Sequence, residues 1–129
     1  MTNKSHIPTT IAPPFGPYAH GCEVSTGSRI IYTAGEVGAR PDGTIPNTLE
    51  EQADWVWKNV DTTLKHAGFS LQDLVKITTF LVKASDVAAA GKVRAKYLGE
   101  TRPASSTVIV AALVKPEWLI EIEAVAAKS

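Results

Sequence analysis

The clearest hydrophobic pattern in the chain lies near its middle and predicts an amphipathic helix. Its apolar positions recur at spacings that place them on one helical face: Ala53, Val56, Trp57, Val60, Leu64 and Ala67. Thr48, with Glu51 following it at the N3 position, is typical of a capping box at a helix N-terminus. Gly68, after His66, suits the left-handed position that follows the end of a helix.

Other segments predict strands, because they are rich in β-branched and aromatic residues or alternate apolar with polar positions. They are residues 18–24, a short edge strand; 29–34, ending at Gly35; 75–82; 107–113, a continuous apolar run; and 119–125, which alternates apolar and acidic residues. A second helix is expected to begin with Ser85 or Asp86 as its N-cap and to reach about Leu98 before Gly99.

The predicted order of elements is β-β-α-β-α-β-β. The simplest packing is an α+β fold, with one mixed sheet and both helices on one face. Residues 1–129 are expected to form a single domain, and the proline-rich residues 1–17 an extended, largely irregular N-terminal arm. A β-rich face with apolar runs does not remain bare, so another copy of the chain is expected to cover the opposite face.

Composition narrows the class of function. The formal net charge is zero, with 13 basic and 13 acidic residues, and the basic residues are scattered, so a nucleic-acid partner is not expected. Cys22 is the only cysteine, which fits a reducing, cytoplasmic setting. The chain has no signal-peptide pattern and no apolar run of membrane-spanning length, so no membrane partner is expected.

Recognisable cofactor motifs are absent from the sequence. There is no glycine-rich dinucleotide motif, phosphate-binding loop or nucleophile elbow. The histidines are His6, His20 and His66, and none has a second histidine at zinc-ligand spacing. His20 and Cys22 are expected to share one face of a strand, but two ligands are too few for a structural metal site. No metal site is therefore predicted.

Four stretches together resemble the Rid/YjgF family of RidA-like reactive intermediate deaminases. They are GPYAHG at residues 16–21, IYTAG at 31–35, LEEQ at 49–52, and RPASSTV at 102–108 followed by IEIEAV at 120–125. The resemblance implies a chorismate-mutase-like domain that forms a homotrimer with pockets between subunits. It also implies hydrolysis of small-molecule enamines and imines to a carbonyl compound and ammonia, without a metal or organic cofactor.

The resemblance also assigns roles to particular residues. Tyr18 matches the family's pocket tyrosine and is expected, with Glu121, to be catalytic, its hydroxyl bonding substrate or water; the alternative is a residue packed at a subunit boundary. Glu121 matches the acidic residue expected to position water and shuttle a proton, whereas Glu123 is expected to be structural. Two further matches complete the expected pocket: Ser106 and Thr107, whose backbone N–H groups suit an oxyanion or water, and Gly35, which equally suits a simple strand end.

Two positions depart from the family pattern. Ser105 stands where the family carries an arginine that pairs with a substrate carboxylate, and serine cannot make that bidentate contact. Gly91 stands where the better-studied members carry a pocket asparagine. A 2-imino acid substrate is thus in question. Arg94 or Arg102 is a candidate replacement cation, and a solvated surface position is the alternative for each.

The tryptophans add a further expectation about the pocket. Trp57 belongs to the core stripe, Trp55 lies off that stripe and suits a trimer contact, and Trp118 precedes Glu121 and suits a roof over the pocket. The leading hypothesis is an enamine/imine hydrolase with altered substrate range. The alternative is a trimer that binds a small metabolite without turnover. An endoribonuclease ranks last, because the chain lacks a basic or stacking platform.

Overall fold

The computed structural model describes residues 3–129. Its strands are β1 (Lys4–His6), β2 (Gly21–Glu23), β3 (Arg29–Tyr32), β4 (Glu36–Val37), β5 (Leu74–Leu81), β6 (Ala104–Ile109) and β7 (Ile120–Lys128), and its helices are α1 (Leu49–His66) and α2 (Val87–Leu98). The predicted alternation of strands and helices is therefore confirmed, while the short strands β1 and β4 were not predicted. Among the described residues, no helix has the length and apolar character needed to cross a membrane.

The main sheet is mixed and carries both helices. Its strand order is β3-β7-β5-β6, and β4 pairs with the same edge of β7 as β3 does. β5 and β6 are parallel, and the other pairs are antiparallel. Alternate residues of β7, such as Ile120 and Ile122, are buried in one core with Val56 and Val60 of α1 and Val93 of α2. The α+β class and the packing of two helices on a mixed sheet are confirmed.

Helix α1 begins and ends as the sequence pattern predicts. The Thr48 hydroxyl accepts a hydrogen bond from the Glu51 amide at 3.2 Å, so the N-terminal cap forms. Ala67 is the C-cap, and Gly68 follows it with φ +85°, a conformation that glycine adopts without strain. The apolar stripe faces the core, and Trp57 is fully buried within it.

Two predicted boundaries were wrong. The side chains of Ser85 and Asp86 do not cap α2, because residues Ala84–Asp86 form a 3-10 turn that leads directly into the helix. The apolar run 107–113 is not the strand; β6 lies at Ala104–Ile109 instead. Its limits follow from its partner, since β6 pairs in register with β5 only as far as Leu81. The following residues leave the sheet and lead back to β7.

Over residues 3–17, the part that the structure describes, the N-terminal arm is more ordered than predicted. β1 pairs antiparallel with β2 in a small separate sheet, so the predicted strand 18–24 is reduced to Gly21–Glu23. The Asn3 amide donates to the carbonyl of Asp73 at 3.2 Å and that of Ala127 at 2.9 Å. Ala19 forms a parallel bridge to Ala104 at the start of β6. The arm is thus held against the main domain at several points.

The predicted strand 29–34 is interrupted rather than continuous. β3 ends at Tyr32, where the Thr33 amide donates to the Ala124 carbonyl at 2.9 Å. The Thr33 hydroxyl in turn accepts from the Ala124 amide at 3.0 Å, and β4 then resumes pairing with β7. The interruption contains Gly35 and brings its α-carbon close to β7.

One buried amide, that of Gln52 on α1, joins three backbone segments. Its Nε2 donates to the carbonyls of Pro46 and Glu117, each at 2.9 Å, and its Oε1 accepts from the Leu119 amide at 2.9 Å. Gly38 packs against the same residue, where an added Cβ would lie 2.6 Å from the Gln52 α-carbon. The LEEQ stretch of the family resemblance therefore includes a residue that anchors the start of β7.

Candidate functional site

A cavity of about 910 Å³ opens beside the sheet edge formed by β6, on the side that carries α2. Six of the residues predicted to form the site line it: Tyr18, Gly91, Arg94, Ser105, Ser106 and Thr107. Tyr18 directly follows the N-terminal arm, and the others come from α2 and β6, which are consecutive elements of the chain. The structure thus brings together most of the predicted substrate-binding residues within one chain.

Tyr18 is held in the cavity wall by the turn that precedes it. The Tyr18 amide donates to the Gly16 carbonyl at 2.9 Å, and the Phe15 amide donates to the Tyr18 hydroxyl at 3.2 Å. The hydroxyl accepts in this contact, so its own hydrogen remains available to donate. The GPY motif therefore places a hydrogen-bond donor at the mouth of the cavity.

Arg94 contacts Ser105, the residue that stands where the family pattern has an arginine. Its Nη1 donates to the Ser105 hydroxyl at 2.8 Å, and its Nη2 donates to the Pro17 carbonyl at 3.3 Å. The guanidinium is partly buried, and this desolvation, together with the nearby charge of Arg102, lowers the pKa of Arg94. Within residues 3–129, no carboxylate lies within ion-pair distance of Arg94.

Arg102, the other candidate cation, has a different position. Its Nη1 donates to the carbonyls of Gly99 at 2.7 Å and Thr101 at 3.2 Å, at the C-terminal end of α2. A cation there satisfies orphan carbonyls and complements the helix dipole. Arg102 does not line the cavity. Its contacts in the structure are those of a helix-terminating residue.

Glu121 lies on the opposite face of the sheet from the cavity. Its neighbours Ile120 and Ile122 are buried on the helical side, so the alternation of the strand turns the Glu121 carboxylate to the other face. There it packs on Gly35, since an added Cβ at position 35 would lie 2.2 Å from Glu121 Oε2. Gly35 is thus more than a strand end, because its missing side chain makes room for the carboxylate.

Glu121 differs from the second acid of its strand. Its side chain is half-buried, whereas Glu123 is exposed. No hydrogen bond or ion pair holds the Glu121 carboxylate within the part of the chain that the structure describes. A half-buried carboxylate without a partner is available to a ligand or to water.

The sequence did not indicate a further group in the cavity wall. Trp57 belongs to the core, as predicted, but it also lines the cavity, and its indole nitrogen is buried without a hydrogen-bond partner among residues 3–129. Its position in the helical stripe shows only that it is buried, so the pattern could not distinguish a cavity wall from a closed core. Because Trp57 is fully buried, this N–H is not exposed to the cavity, and its lack of a partner carries a cost in stability.

The other two tryptophans lie elsewhere. Trp118 does not line the cavity of the single chain, and Lys115 Nζ lies 5.7 Å from its ring centroid. Trp55 is partly exposed, with Lys58 Nζ at 4.3 Å from its ring centroid. Their predicted roles, a pocket roof and a trimer contact, require a neighbouring subunit and stay predictions.

Comparison with known proteins agrees with this architecture. A family model described as Endoribonuclease L-PSP matches residues 9–128. A RutC family protein of Pyrococcus abyssi is 37% identical over 97% of this chain and 98% of its own length. The 2-iminobutanoate/2-iminopropanoate deaminase of mouse is 34% identical over 93% of this chain and 88% of its own. The Rid family protein YyfB of Yersinia pestis matches in structure with a TM-score of 0.87 at 32% identity, covering 99% of this chain and 100% of that one.

A mixed sheet with two helices on one face and a cavity at its parallel edge defines a small α+β domain of the kind found in these relatives. The chain belongs to the Rid/YjgF family, as the matched length and the identities show. The mouse relative is named as a deaminase of 2-iminobutanoate and 2-iminopropanoate, and a relative from Escherichia coli as a putative reactive intermediate deaminase.

Proposed function

We propose that the protein is a hydrolytic deaminase of reactive enamines and imines, with a substrate range altered by Ser105. The observation that carries the proposal is the Glu121 carboxylate, which is half-buried against Gly35 and has no partner among the described residues. An acid kept only for solubility would be fully exposed, as Glu123 is. The mouse relative named as an imino-acid deaminase supports the same reaction class.

The reaction needs one group that both accepts and returns a proton. The carboxylate of Glu121 accepts a proton from water as the water oxygen bonds to the imine carbon. It then delivers that proton to the nitrogen, which gives a carbinolamine. The carboxylate next transfers the proton of the new hydroxyl group to the same nitrogen, the carbon–nitrogen bond breaks, and a carbonyl compound and ammonia leave. An enamine is first protonated on carbon to become the imine. The balance is one imine and one water for one carbonyl and one ammonia, so no redox cofactor is required.

Groups in the cavity wall suit the other demands of this reaction. The Tyr18 hydroxyl has a hydrogen free to donate to the substrate or to the attacking water. Ser106 and Thr107 lie on β6, an edge strand. Because successive backbone N–H groups of a strand point to opposite sides, one of these two N–H groups points away from β5, where it suits an oxygen that gains negative charge. We assign these three residues to substrate binding and charge stabilisation.

The two halves of the site lie on opposite faces of one sheet, which favours assembly as a trimer with shared pockets. Apolar side chains are exposed on the face that carries Glu121: Ile30 is 49% exposed, Tyr32 74% and Val108 41%. Burial of such a face against a neighbour is favourable. We propose that a second copy covers it and brings Glu121 of one subunit to the cavity of another.

The test is ammonia release from enzymatically generated enamines and imines. Glu121→Gln is expected to lower turnover at least about 100-fold, the usual scale for loss of a general acid–base. Glu123→Gln is the matched control, because it removes the same charge from the same face of the same strand. Full activity in Glu121→Gln would refute the catalytic assignment, and equal losses in both variants would refute a specific role for Glu121.

Mixing of inactive variants tests the shared site. Trimers reassembled from Glu121→Gln and Tyr18→Phe chains contain some pockets with both native residues, if these residues come from different subunits. Activity is then expected to reappear on mixing. Activity that stays absent, although light scattering and mass spectrometry show mixed trimers, would place both residues in one subunit.

One alternative is favoured by a specific observation. Ser105 and Gly91 replace two of the family's pocket side chains, which suits a trimer that binds a small metabolite without turnover. Saturable binding of a ligand without ammonia release from any member of the substrate panel would support that reading. The balanced charge of the chain gives no support for RNA cleavage, despite the description of the family model.

A further inference from the structure

We infer that Arg94 is the residue that recognises an anionic substrate in this cavity, and that Ser105 positions its guanidinium. The chemical class of substrate is an imine or enamine that bears a carboxylate. The inference deepens the proposed deaminase function and rests on it. The presence of Ser105 alone suggests a pocket without a cation, whereas the structure has Arg94 in the cavity wall.

The first support is geometric. Arg94 lines the cavity from α2, and Ser105 lies opposite it on β6, where its pairing with the buried Ile77 turns its side chain toward the helices. The 2.8 Å contact between Nη1 and the Ser105 hydroxyl fixes the plane of the guanidinium. The second contact, to the Pro17 carbonyl at 3.3 Å, comes from the residue beside Tyr18. The guanidinium is thus held between the two walls that carry the other predicted site residues.

The second support is that the positive charge of Arg94 has no counter-ion among residues 3–129. A guanidinium has five N–H donors, and the contacts of Arg94 with Ser105 and Pro17 use two of them. Its partners there are a hydroxyl and a carbonyl, neither of which neutralises its charge. Burying a cation without a counter-ion is unfavourable, and Arg102 nearby makes the local potential more positive. A bound carboxylate supplies both the missing charge and the missing acceptors, in the bidentate geometry that arginine prefers.

The third support is the small side chain at position 105. An arginine at that position would bring a second cation close to Arg94, and the two like charges would repel. Serine instead contributes an acceptor that orients the existing arginine. The cavity therefore has its cation on the helix rather than on the strand.

The experiment compares ligands that differ only in charge. Binding of 2-oxobutanoate, the keto acid left by hydrolysis of 2-iminobutanoate, is measured by calorimetry beside butanone, which lacks the carboxylate. We expect the wild-type protein to prefer the keto acid, and Arg94→Gln to lower that preference on the order of 100-fold, as for loss of a charged anchor. Arg94→Lys should recover only part of it, because an ammonium lacks the planar fork.

A charge-matched control and a positioning control complete the design. Arg102→Gln removes one positive charge near the cavity but no donor from its wall, so it should lower the preference far less than Arg94→Gln does. Ser105→Ala should raise the KM for a carboxylated imine more than it lowers kcat, with recovery in Ser105→Thr, whose hydroxyl can still accept from Arg94. Circular dichroism checks that each variant is folded.

The outcomes separate this inference from the proposed function. An Arg94-dependent preference without turnover of any imine would sustain the inference and overturn the deaminase proposal. Turnover that depends on Glu121, with a carboxylate preference unchanged in Arg94→Gln, would sustain the deaminase proposal and overturn the inference about Arg94. Absence of any carboxylate preference in the wild-type protein would also overturn the inference.

Discussion

The contact between Gly35 and Glu121 gives the sharpest structural prediction. A Cβ at position 35 would lie 2.2 Å from Oε2, 2.7 Å from Cδ and 3.1 Å from Cγ of Glu121. An ordinary contact between such atoms needs about 3.4 Å, so Gly35→Ala requires the carboxylate to move by roughly 1 Å. The backbone at Gly35 is not in the left-handed region, so alanine itself introduces no backbone strain there.

A displacement of that size matters more for catalysis than for folding. Misplacing a reacting group by about 1 Å can cost on the order of 100-fold in rate. We therefore expect Gly35→Ala to lower kcat/KM for an imine substrate by about that factor. The melting temperature should change little, because the clash falls on the far end of a flexible side chain. Ammonia release and thermal unfolding measure the two effects separately.

A double-mutant cycle tests whether Gly35→Ala lowers kcat/KM by displacing the Glu121 carboxylate. If Gly35→Ala acts only by moving the carboxylate, it should cause no further loss in a Glu121→Gln background. A normal rate in Gly35→Ala would refute the reasoning. So would losses that multiply in the double variant, because Gly35 would then act through something other than Glu121.

Further predictions concern stability. Gln52→Leu leaves three backbone groups unpaired, so the free energy of unfolding should fall by about 3 kcal/mol in a urea titration; a loss below about 1 kcal/mol would mean that water replaces the amide. Tyr97→Phe removes the hydroxyl that donates to Asp54 Oδ1 at 2.5 Å, a contact that joins α2 to α1 and lowers the pKa of Asp54 below its ordinary value of 3.8. Because Asp54 is 32% exposed, the expected loss is only about 1 kcal/mol. It should be present near pH 7 and shrink as the pH falls through the folded-state pKa of Asp54, where the wild-type carboxylate protonates. A loss that is unchanged at pH 3 would contradict the ionic character of this contact.

The sequence was sufficient where structure depends on local signals. The cap at Thr48, the apolar stripe and Gly68 predicted α1 almost to the residue, since each signal acts within a few positions of the helix itself. The limits of β6 were wrong because they depend on β5, and the apolar residues after Ile109 look the same whether or not a neighbouring strand continues. Strand limits are set by the partner more than by composition.

In the candidate site, too, the sequence predicted which residues belong but not the contacts that depend on tertiary packing. The family resemblance indicated five positions that the fold does bring to one cavity, and Arg94, predicted as a candidate replacement cation, is the sixth. Spacing alone could place Arg94 on a helical face with Gly91, but it could not orient that face toward Ser105, since the crossing of α2 over β6 depends on core packing. The sequence equally could not predict the fit of Glu121 against Gly35, because Glu121 is on β7 and Gly35 lies between β3 and β4, far apart in sequence.

The amide of Gln52 has a consequence for local motion. It holds the carbonyls of Pro46 and Glu117 and the amide of Leu119, so the segment before α1 and the segment before β7 share one support. Local opening of either segment breaks the same cluster of hydrogen bonds. Amide hydrogens around both segments should therefore exchange with solvent water at correlated rates, although some 70 residues separate them. Since β7 begins directly after Leu119, that shared opening also sets how long Glu121 remains in its place against Gly35.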